Sequence, residues 1–271
     1  MKTKITFLMA LMFNVFLFNL QAAELTATSS NISNVYLGAS DGDVILLDAG
    51  NYNYGFPIQA SKTITIKKNP AAATTPVITA QLIDPTGDNG GLIFDGVKFV
   101  RGGVMSGSDY VMNLGTTMQR PIRVIKFKNC EATGFGRSFI RTQGAALATA
   151  TIDSIVIDNC LMHDMSGSYN FIVTNHIVGK LSVTNSTFYN YGGEKFFAPG
   201  NSTQAPITIN IINNTFYKWS KAGNNFLDVS NKFTNTSVYN IKDNIFNQIY
   251  SGTKGTNYIL NCTNGGTLNA A

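Results

Sequence analysis

The sequence predicts an all-β protein, a single-stranded right-handed parallel β-helix, from three observations. Only 13% of the 271 residues are charged while 44% are hydrophobic, and Asn, Thr, Gly and Ser are plentiful, which favours β-structure with many turns around a large core. Two short motifs recur in phase along the chain. After the N-terminal segment no run shows the 3.6-residue period of a helix, which disfavours a βαβ fold.

Residues 1–23 have the features of a cleaved signal peptide. Lys2 and Lys4 precede an almost unbroken apolar run over residues 5–20, and small residues follow it. A membrane anchor is the alternative, but the run is short for a span of about 20 residues. The sequence therefore predicts a protein secreted to the periplasm or the cell exterior, and loss of the two lysines lowers the formal charge from +5 to +3.

Residues 24–118 are interpreted as the N-terminal coils of the β-helix and residues 119–271 as repeat coils of the same β-helix. The first part begins with strands predicted at 44–47 and 63–67, separated by a Gly-containing turn. The chain stops at NGGTLNAA directly after a strand, although the ends of solenoids normally need a cap. The sequence thus predicts either a truncated C-terminus or a last loop that serves as the cap.

The first repeated motif is a β-branched run followed by Asn or Asp, a small residue and often Phe. Its copies are VIKFKNCEATG, IVIDNCLMHD, LSVTNSTFYN, INIINNTFYK and YNIKDNIFNQ, with the turn residue at Asn129, Asn159, Asn185, Asn213 and Asp243. By subtraction the intervals are 30, 26, 28 and 30 residues. Because Asn tolerates a left-handed backbone and bonds to its own turn and the next rung, the motif predicts an asparagine ladder.

The second motif reads SFIRT, NFIVT, KFFAP, NFLDV and NYILN, around Phe139, Phe171, Phe196, Phe226 and Tyr258. By subtraction its intervals are 32, 25, 30 and 32 residues. Two motifs that stay in phase over five copies predict short strands that stack coil upon coil to bury a continuous core. The phenylalanines are expected to form an aromatic stack inside the solenoid.

The three cysteines, Cys130, Cys160 and Cys262, are an odd number, which argues against a disulfide-built scaffold. No CxxC motif or Cys/His cluster predicts a zinc site. Cys130 and Cys160 occupy the same repeat position and therefore lie on adjacent rungs. A disulfide and two free thiols are both open there, and parallel stacking with burial favours the thiols.

The segment GDVILLDAGNY at 42–52, followed by KTITIKKNP and TPVITA, resembles the first coils of pectate-lyase-like β-helix proteins. The later segments NCLMHD, NSTFYNYG, NNTFYKW, NFLDVSN and IKDNIF resemble secreted Bacteroidetes β-helix proteins that carry DUF4957 and DUF5123. The resemblance covers residues 30–265 and implies a role with polysaccharides, with distant similarity to alginate and chondroitin lyases. It implies calcium as a cofactor, but no acidic cluster for calcium and no lysine–arginine catalytic pair of those lyases is recognisable in this sequence, and no other cofactor is identified.

A lyase that acts on uronic acids needs a group that neutralises the carboxylate and a base that removes the neighbouring proton. Arg141, Lys195 and Asp228 belong to the second motif and are candidate catalytic residues. They face either inward, as a buried cluster that needs partners, or outward along a groove, and a purely structural role in turns is the alternative. His163, followed by Asp164, is the fourth candidate, with a surface turn as its alternative.

Candidate substrate-binding residues are Arg137 and the aromatic residues that follow the Asn turns, Tyr189, Tyr191, Tyr217 and Trp219. A row of aromatic faces would suit stacking on sugar rings. Packing inside the core or the turns is an equal alternative.

The sequence therefore predicts a secreted protein that binds or degrades a polysaccharide, and a lyase acting on acidic, uronic-acid glycans if it is an enzyme. A non-catalytic glycan-binding accessory protein or surface adhesin is the alternative. The mildly basic charge permits an acidic partner, whereas the scattered basic residues do not predict nucleic-acid binding. A monomer is expected, and no later segment is long and apolar enough to span a membrane.

Overall fold

The protein is a parallel β-helix, which confirms the predicted fold class. The computed structural model describes residues 22–79, 89–101, 110–114, 120–142, 150–166, 169–199, 205–219, 225–229, 232–249, 259–261 and 266–270. These residues form strands β1–β24 and one short helix, α1. Each strand pairs in parallel with the equivalent strands of neighbouring coils, so the coils stack into three long sheets.

The three sheets contain ten, eight and six strands. Sheet A consists of β1 (Glu24–Ala27), β2 (Val44–Leu47), β4 (Thr63–Lys68), β6 (Gly90–Asp95), β9 (Ile122–Lys128), β12 (Thr151–Asp158), β15 (Ile177–Thr184), β18 (Thr208–Ile212), β21 (Val238–Lys242) and β24 (Thr267–Ala270). Sheet B consists of β3 (Asn51–Tyr52), β5 (Val77–Ile78), β7 (Lys98–Val100), β10 (Glu131–Thr133), β13 (Leu161–Met165), β16 (Thr187–Tyr191), β19 (Thr215–Trp219) and β22 (Ile245–Asn247). Sheet C consists of β8 (Met112–Leu114), β11 (Ile140–Thr142), β14 (Ile172–Thr174), β17 (Phe197–Pro199), β20 (Leu227–Asp228) and β23 (Leu260–Asn261).

Alternation of side chains along each strand separates the core from the surface. In β9, Ile125 and Phe127 are fully buried, while Lys126 between them faces outward. The same pattern recurs in β12, where Ile155 and Ile157 pair in register with Ile125 and Phe127. Because a shift of one residue would turn every apolar side chain to solvent, this alternation fixes the register of the stack.

The predicted aromatic stack lies inside the solenoid. Phe139 and Phe171 stack with ring centroids 5.0 Å apart, Phe171 and Phe196 at 5.2 Å, and Phe196 and Phe226 at 5.0 Å. All four side chains are fully buried. The prediction is confirmed for these residues, and Tyr258 lies outside the described part of the chain.

The asparagine ladder is also confirmed at the corner between sheets A and B. Asn129, Asn159, Asn185 and Asn213 have φ values of 53°, 51°, 53° and 57°, the left-handed region that Asn tolerates. The Asn159 amide donates to Asn129 Oδ1 at 2.7 Å, and the Asn213 amide donates to Asn185 Oδ1 at 2.7 Å. Asn185 interrupts the series, because its amide donates to Asp158 Oδ1 at 3.0 Å.

A second, inner ladder at the same corner was not predicted. In it, the backbone N–H of one coil donates to a side chain of the next coil. Cys130 N–H donates to Cys160 Sγ at 3.4 Å, Cys160 N–H to Ser186 Oγ at 3.0 Å, and Ser186 N–H to Asn214 Oδ1 at 3.0 Å. Asn214 N–H donates in turn to Asn244 Oδ1 at 3.0 Å. Cysteine, serine and asparagine therefore have the same task here, which is to accept a buried amide hydrogen.

Cys130 and Cys160 are free, buried thiols, the arrangement that the sequence favoured over a disulfide. Burial and the neighbouring Cys160 thiol raise the pKa of Cys130 well above its ordinary value. The Cys130 thiol consequently stays protonated at neutral pH, in keeping with a structural role. Cys262 lies outside the described residues.

The inner ladder predicts opposite outcomes for two substitutions of Cys160. Cys160→Ser keeps an acceptor for the Cys130 N–H and should change the free energy of unfolding by less than about 1 kcal/mol. Cys160→Ala leaves that N–H buried without a partner and should lower the free energy of unfolding by about 1–3 kcal/mol. Urea denaturation of both variants measures the difference, and equal stability of the two would rule out the thiol as a needed acceptor.

The short helix α1 (Ile32–Gly38) is a feature that the sequence did not reveal. It has seven residues, of which Ile32 and Tyr36 are buried. Two buried positions four residues apart are too few to establish a helical period. The Tyr36 hydroxyl donates to the Pro57 carbonyl at 2.6 Å, which ties the helix to the first coils.

The predicted boundary near residue 119 divides no sheet, since β6 pairs directly with β9 on either side of it. Residues from both predicted parts also contribute to one hydrophobic core. The division at 118/119 and the signal peptide stay predictions, and residues 1–21 lie outside the described ranges. Within those ranges no helix has the length and apolar character to cross a membrane.

Candidate functional site

Sheet C carries an outward column of side chains that contains two of the predicted site residues. Its strands have their middle residue facing outward and their flanking residues buried. In register, the column runs from Asn113 through Arg141, Val173 and Ala198 to Asp228. Adjacent members are about 4.8 Å apart, so Arg141 and Asp228 are separated by three rungs, or about 14 Å.

Arg141 faces outward, which decides between the two orientations left open by the sequence. Phe139 and Ile140 are both fully buried, because the chain turns a corner between them and the alternation restarts at Ile140. Arg141 is then directed outward and Thr142 inward. The inward alternative, a buried charge cluster, therefore does not apply to Arg141.

Two arginines and two tyrosines form what we call the arginine pocket, comprising Arg137, Arg141, Tyr110 and Tyr169 with the lining residues Thr142, Val173 and Asn175. The Arg137 guanidinium carbon lies 4.9 Å from the Tyr169 ring centroid and 5.7 Å from that of Tyr110. The Arg141 guanidinium carbon lies 5.0 Å from the Tyr110 ring centroid. The pocket has a volume of about 100 Å³.

This geometry prepares the arginines for an anion. The cation–π contacts hold the guanidinium groups beside the tyrosine rings, and a guanidinium group carries its N–H donors along its edges. An edge of this kind matches the two oxygens of a carboxylate. Because the rings already hold the arginine side chains, less conformational entropy is lost on binding than for freely rotating side chains.

Tyr110 contributes a buried polar atom beside the arginines. Its side chain is 1% exposed, and its hydroxyl and the Asn113 Oδ1 atom have no hydrogen-bond partner of good geometry within the described part of the chain. Burial raises the pKa of Tyr110, and the charges of Arg141 and Arg137 offset this only in part. At neutral pH the Tyr110 hydroxyl is therefore protonated.

Lys195 and Asp228 form an ion pair at the far end of the same column. Lys195 Nζ lies 2.5 Å from Asp228 Oδ2, and both side chains are about a quarter exposed (24% and 25%). Lys195 lies in the corner before β17, from which its side chain reaches Asp228 on the next coil. Val173 and Ala198, small side chains, form the floor between this ion pair and Arg141.

His163 lies on sheet B, away from the other three candidate catalytic residues. Its Nε2 atom is 3.1 Å from Glu131 Oε1 and its Nδ1 atom is 2.7 Å from Asp164 Oδ2. Lys98 Nζ lies 2.6 Å from Glu131 Oε1. Burial raises the pKa of Glu131, but hydrogen bonds with Lys98 and His163 outweigh it and leave that pKa below its ordinary value. His163 thus belongs to a separate cluster on sheet B with Lys98, Glu131 and Asp164.

Two of the four aromatic residues predicted to bind substrate are inside the core. Tyr191 is 1% exposed and Trp219 is fully buried, so the prediction that their faces meet a ligand is wrong. In plain alternation Tyr191 would share the outward face of Tyr189. The left-handed residue Asn190 (φ 54°) breaks the alternation and turns Tyr191 inward, and Lys218 (φ 49°) does the same for Trp219.

Tyr189 and Tyr217 do face outward on sheet B and are half-buried. One face of the Tyr189 ring is stacked on His163, with centroids 4.9 Å apart. The Lys218 ammonium group lies 5.1 Å from the Tyr217 ring centroid. These contacts therefore occupy ring faces of Tyr189 and Tyr217 that a sugar would need.

The structure brings Arg137 and Arg141 together and adds Tyr110 and Tyr169, which the sequence reasoning missed. Tyr110 precedes β8, and the segment YVMNL at 110–114 is an earlier copy of the second motif. Met112 pairs in register with Ile140. Val111 therefore occupies the position that corresponds to Phe139. The missing aromatic signature explains why the copy was overlooked.

A larger cleft of about 340 Å³ runs along the asparagine corner. Its polar lining includes the amides of Asn129 and Asn159, which already serve the ladder. The arginine pocket is therefore the better candidate site. Among the described residues, no group of three or more His, Cys, Asp or Glu side chains could hold a metal ion.

No family model matches the chain, and no curated protein matches it. Several solved structures are similar in fold, among them two of one alginate lyase. An arginine-to-alanine mutant of the PL6 family alginate lyase AlyGC has a TM-score of 0.61 and 15% identity, covering 91% of this chain and 39% of that chain. AlyGC itself has a TM-score of 0.58 and 14% identity, covering 93% of this chain and 40% of that chain.

The chain thus spans about two fifths of the length of these alginate lyases. At this identity the likeness concerns the fold alone, and membership of the DUF4957 and DUF5123 groups stays a prediction. The protein is accordingly a parallel β-helix that is similar in fold to a PL6 family alginate lyase.

Proposed function

We propose that this protein acts on polysaccharides and binds acidic, uronic-acid glycans at the arginine pocket. The observation that carries the proposal is the pair of guanidinium groups held over Tyr110 on the outer face of sheet C. The likeness in fold to an alginate lyase supports a polysaccharide as the ligand. Secretion, as the N-terminal segment predicts, would place the protein where such polymers occur.

The pocket supports a specific way of holding the ligand. The arginine edges bind one uronate carboxylate beside the rings of Tyr110 and Tyr169. The sugar chain then continues over the small Val173–Ala198 floor towards the Lys195–Asp228 ion pair. This column is about 14 Å long, the distance of three rungs.

Substitution of Arg141 tests the binding mode. Arg141→Ala removes a charged hydrogen-bond donor worth about 1.5–3 kcal/mol and should weaken binding of a uronic-acid trisaccharide about 10- to 100-fold. Lys98→Ala is the matched control, because Lys98 lies on sheet B, 2.6 Å from Glu131, and should leave the affinity unchanged. Titration calorimetry measures both, and equal affinities of the two variants would refute the assignment.

Lyase activity is the catalytic form of this proposal. Guanidinium groups that neutralise the carboxylate would acidify the neighbouring C–H bond, as elimination requires. Incubation with a panel of uronic-acid polymers, followed by ultraviolet absorbance of the unsaturated product, tests it. Product formed by the wild-type protein and abolished by Arg141→Ala would support a lyase. Retained binding without product on any polymer would establish the glycan-binding alternative.

A further inference from the structure

The outer face of sheet A carries lysines on every second rung. They are Lys67 on β4, Lys126 and Lys128 on β9, Lys180 on β15 and Lys242 on β21. The outward residues of the intervening strands β6, β12 and β18 include no lysine: they are Ile93, Asp95, Thr151, Asp153, Ser154, Val156, Asp158, Thr208, Asn210 and Ile212. We call the outer surface formed by β4 to β21 the lysine face.

The register places Lys67, Lys128 and Lys242 in one column along the solenoid axis, whereas Lys126 lies in the next outward column and Lys180 in the column beyond it. Lys67 and Lys128 are both neighbours of Asp95 in the ladder of strands, one on each side. Two rungs correspond to about 10 Å. The whole row from Lys67 to Lys242 crosses six rungs, or about 29 Å.

Two aspartates on this face have another task. Asp95 Oδ1 accepts the Asn129 amide at 2.6 Å, so Asp95 ends the asparagine ladder. Asp158 Oδ1 accepts hydrogen bonds from Thr184 at 2.6 Å and from Asn185 at 3.0 Å. The acidic groups thus hold the corner of the solenoid.

The lysines, in contrast, make no ion pair within 4 Å in the part of the chain that the structure describes. Lys180 is exposed and the other four are half-buried, so their ammonium groups reach solvent at the ends of long stems. Asp153 on β12 is a third, exposed aspartate on this face, but the five unpaired lysines and Arg123 on β9 outnumber the three aspartates, so the surface is basic. Such a surface attracts polyanions.

We propose that the lysine face is a second glycan-binding surface, which takes a linear acidic polysaccharide laid along the solenoid axis. In a two-fold chain of 1,4-linked uronic acids, the carboxylates on one side recur once per disaccharide, a period that matches two rungs of the sheet. The hydroxyl-bearing side of the alternate sugars would then meet the polar rungs between the lysines. This surface lies on sheet A, whereas the arginine pocket lies on sheet C.

Binding of a long polymer and of a short oligosaccharide distinguishes the two surfaces. The double variant Lys128→Gln/Lys242→Gln, which changes two lysines of one column, should weaken binding of polymannuronate by the full-length protein about 10- to 25-fold, at about fivefold or slightly less for each lysine. The same variant should bind a uronic-acid trisaccharide as the wild-type protein does, because the arginine pocket is intact. Added salt should reduce the difference between the variant and the wild-type protein.

Lys218→Gln/Lys232→Gln is the matched control, since it removes the same charge outside the lysine face. It should keep polymer binding within about twofold of wild type. Affinity electrophoresis in gels containing polymannuronate or neutral dextran provides the measurement. Unchanged polymer binding by Lys128→Gln/Lys242→Gln, or an equal loss in the control pair, would overturn the proposal. Loss of trisaccharide binding by Arg141→Ala tests the arginine pocket separately.

Discussion

Phe171→Ala is expected to lower the free energy of unfolding by about 3–5 kcal/mol. Phe171 is fully buried and stacks between Phe139 and Phe196, with centroids 5.0 and 5.2 Å away. It also contacts the edge of Trp219 at 5.0 Å. Truncation therefore opens a cavity at the centre of the aromatic stack, where parallel strands on both sides prevent collapse.

Urea denaturation followed by fluorescence measures this effect directly, because Trp219 is the single tryptophan of the chain and lies in the same cluster. Leu161→Ala is the control. Leu161 is 37% exposed, and its truncation should cost about 0.5 kcal/mol or less. A loss for Phe171→Ala no greater than for Leu161→Ala would contradict the continuous aromatic core.

Acid should destabilise the protein through His176. Its side chain is 5% exposed, and neither ring nitrogen has a hydrogen-bond partner in the described ranges. Burial lowers the pKa of His176 to about 4, whereas an unfolded histidine titrates near 6.5. Between these values the unfolded state binds a proton that the folded state does not. Stability is therefore complete above pH 6.5 and falls by about 2 kcal/mol between pH 7 and pH 5.

His176→Phe should remove this pH dependence, whatever its effect on stability at pH 7. His163→Asn, which replaces the other histidine, should retain it. The carboxylates with lowered pKa values, such as Glu131 and Asp158, lose their contribution only below their unfolded pKa values near 4. Urea midpoints measured between pH 5 and 7 isolate the histidine. An unchanged slope in His176→Phe would show that another group is responsible.

The fold could be predicted from the sequence because its two motifs report on buried, repeated positions. The Asn129 series and the Phe139 series each occupy one place in every coil, where a left-handed turn or an inward ring is required. Repetition made both signals visible in one sequence. Helix α1 has no second copy and only two buried residues, so the same reasoning could not find it.

The candidate site could be predicted only in part. Arg137 and Arg141 were selected because they flank a recurrent phenylalanine, but their aromatic partners come from other coils. Tyr110 and Tyr169 lie just before β8 and β14, on the coils directly before and after that of the arginines, at positions where neither motif has a tyrosine. Tyr191 and Trp219 were misplaced because a single left-handed residue, such as Lys218, reverses the face of the next side chain. Asparagine suggests such a conformation in a sequence, whereas lysine does not.

The two corners beside sheet A differ in a way that matters for engineering. From β6 to β22, two residues always separate a strand of sheet A from the next strand of sheet B, as 129–130 do between β9 and β10. From sheet C back to sheet A the separation varies, from two residues (175–176) to nine (229–237). The asparagine corner therefore has the same length in every coil from β6 to β22. Differences in coil length are accommodated at the corner from sheet C to sheet A.

A foreign peptide should therefore be tolerated where a strand of sheet C leads into sheet A, because the entropy of closing a longer loop grows only slowly with its length. A single residue inserted between Asn159 and Cys160 would instead displace both ladders at once. Insertions should thus be tolerated at the corner from sheet C to sheet A, whereas the asparagine corner should tolerate no change in length.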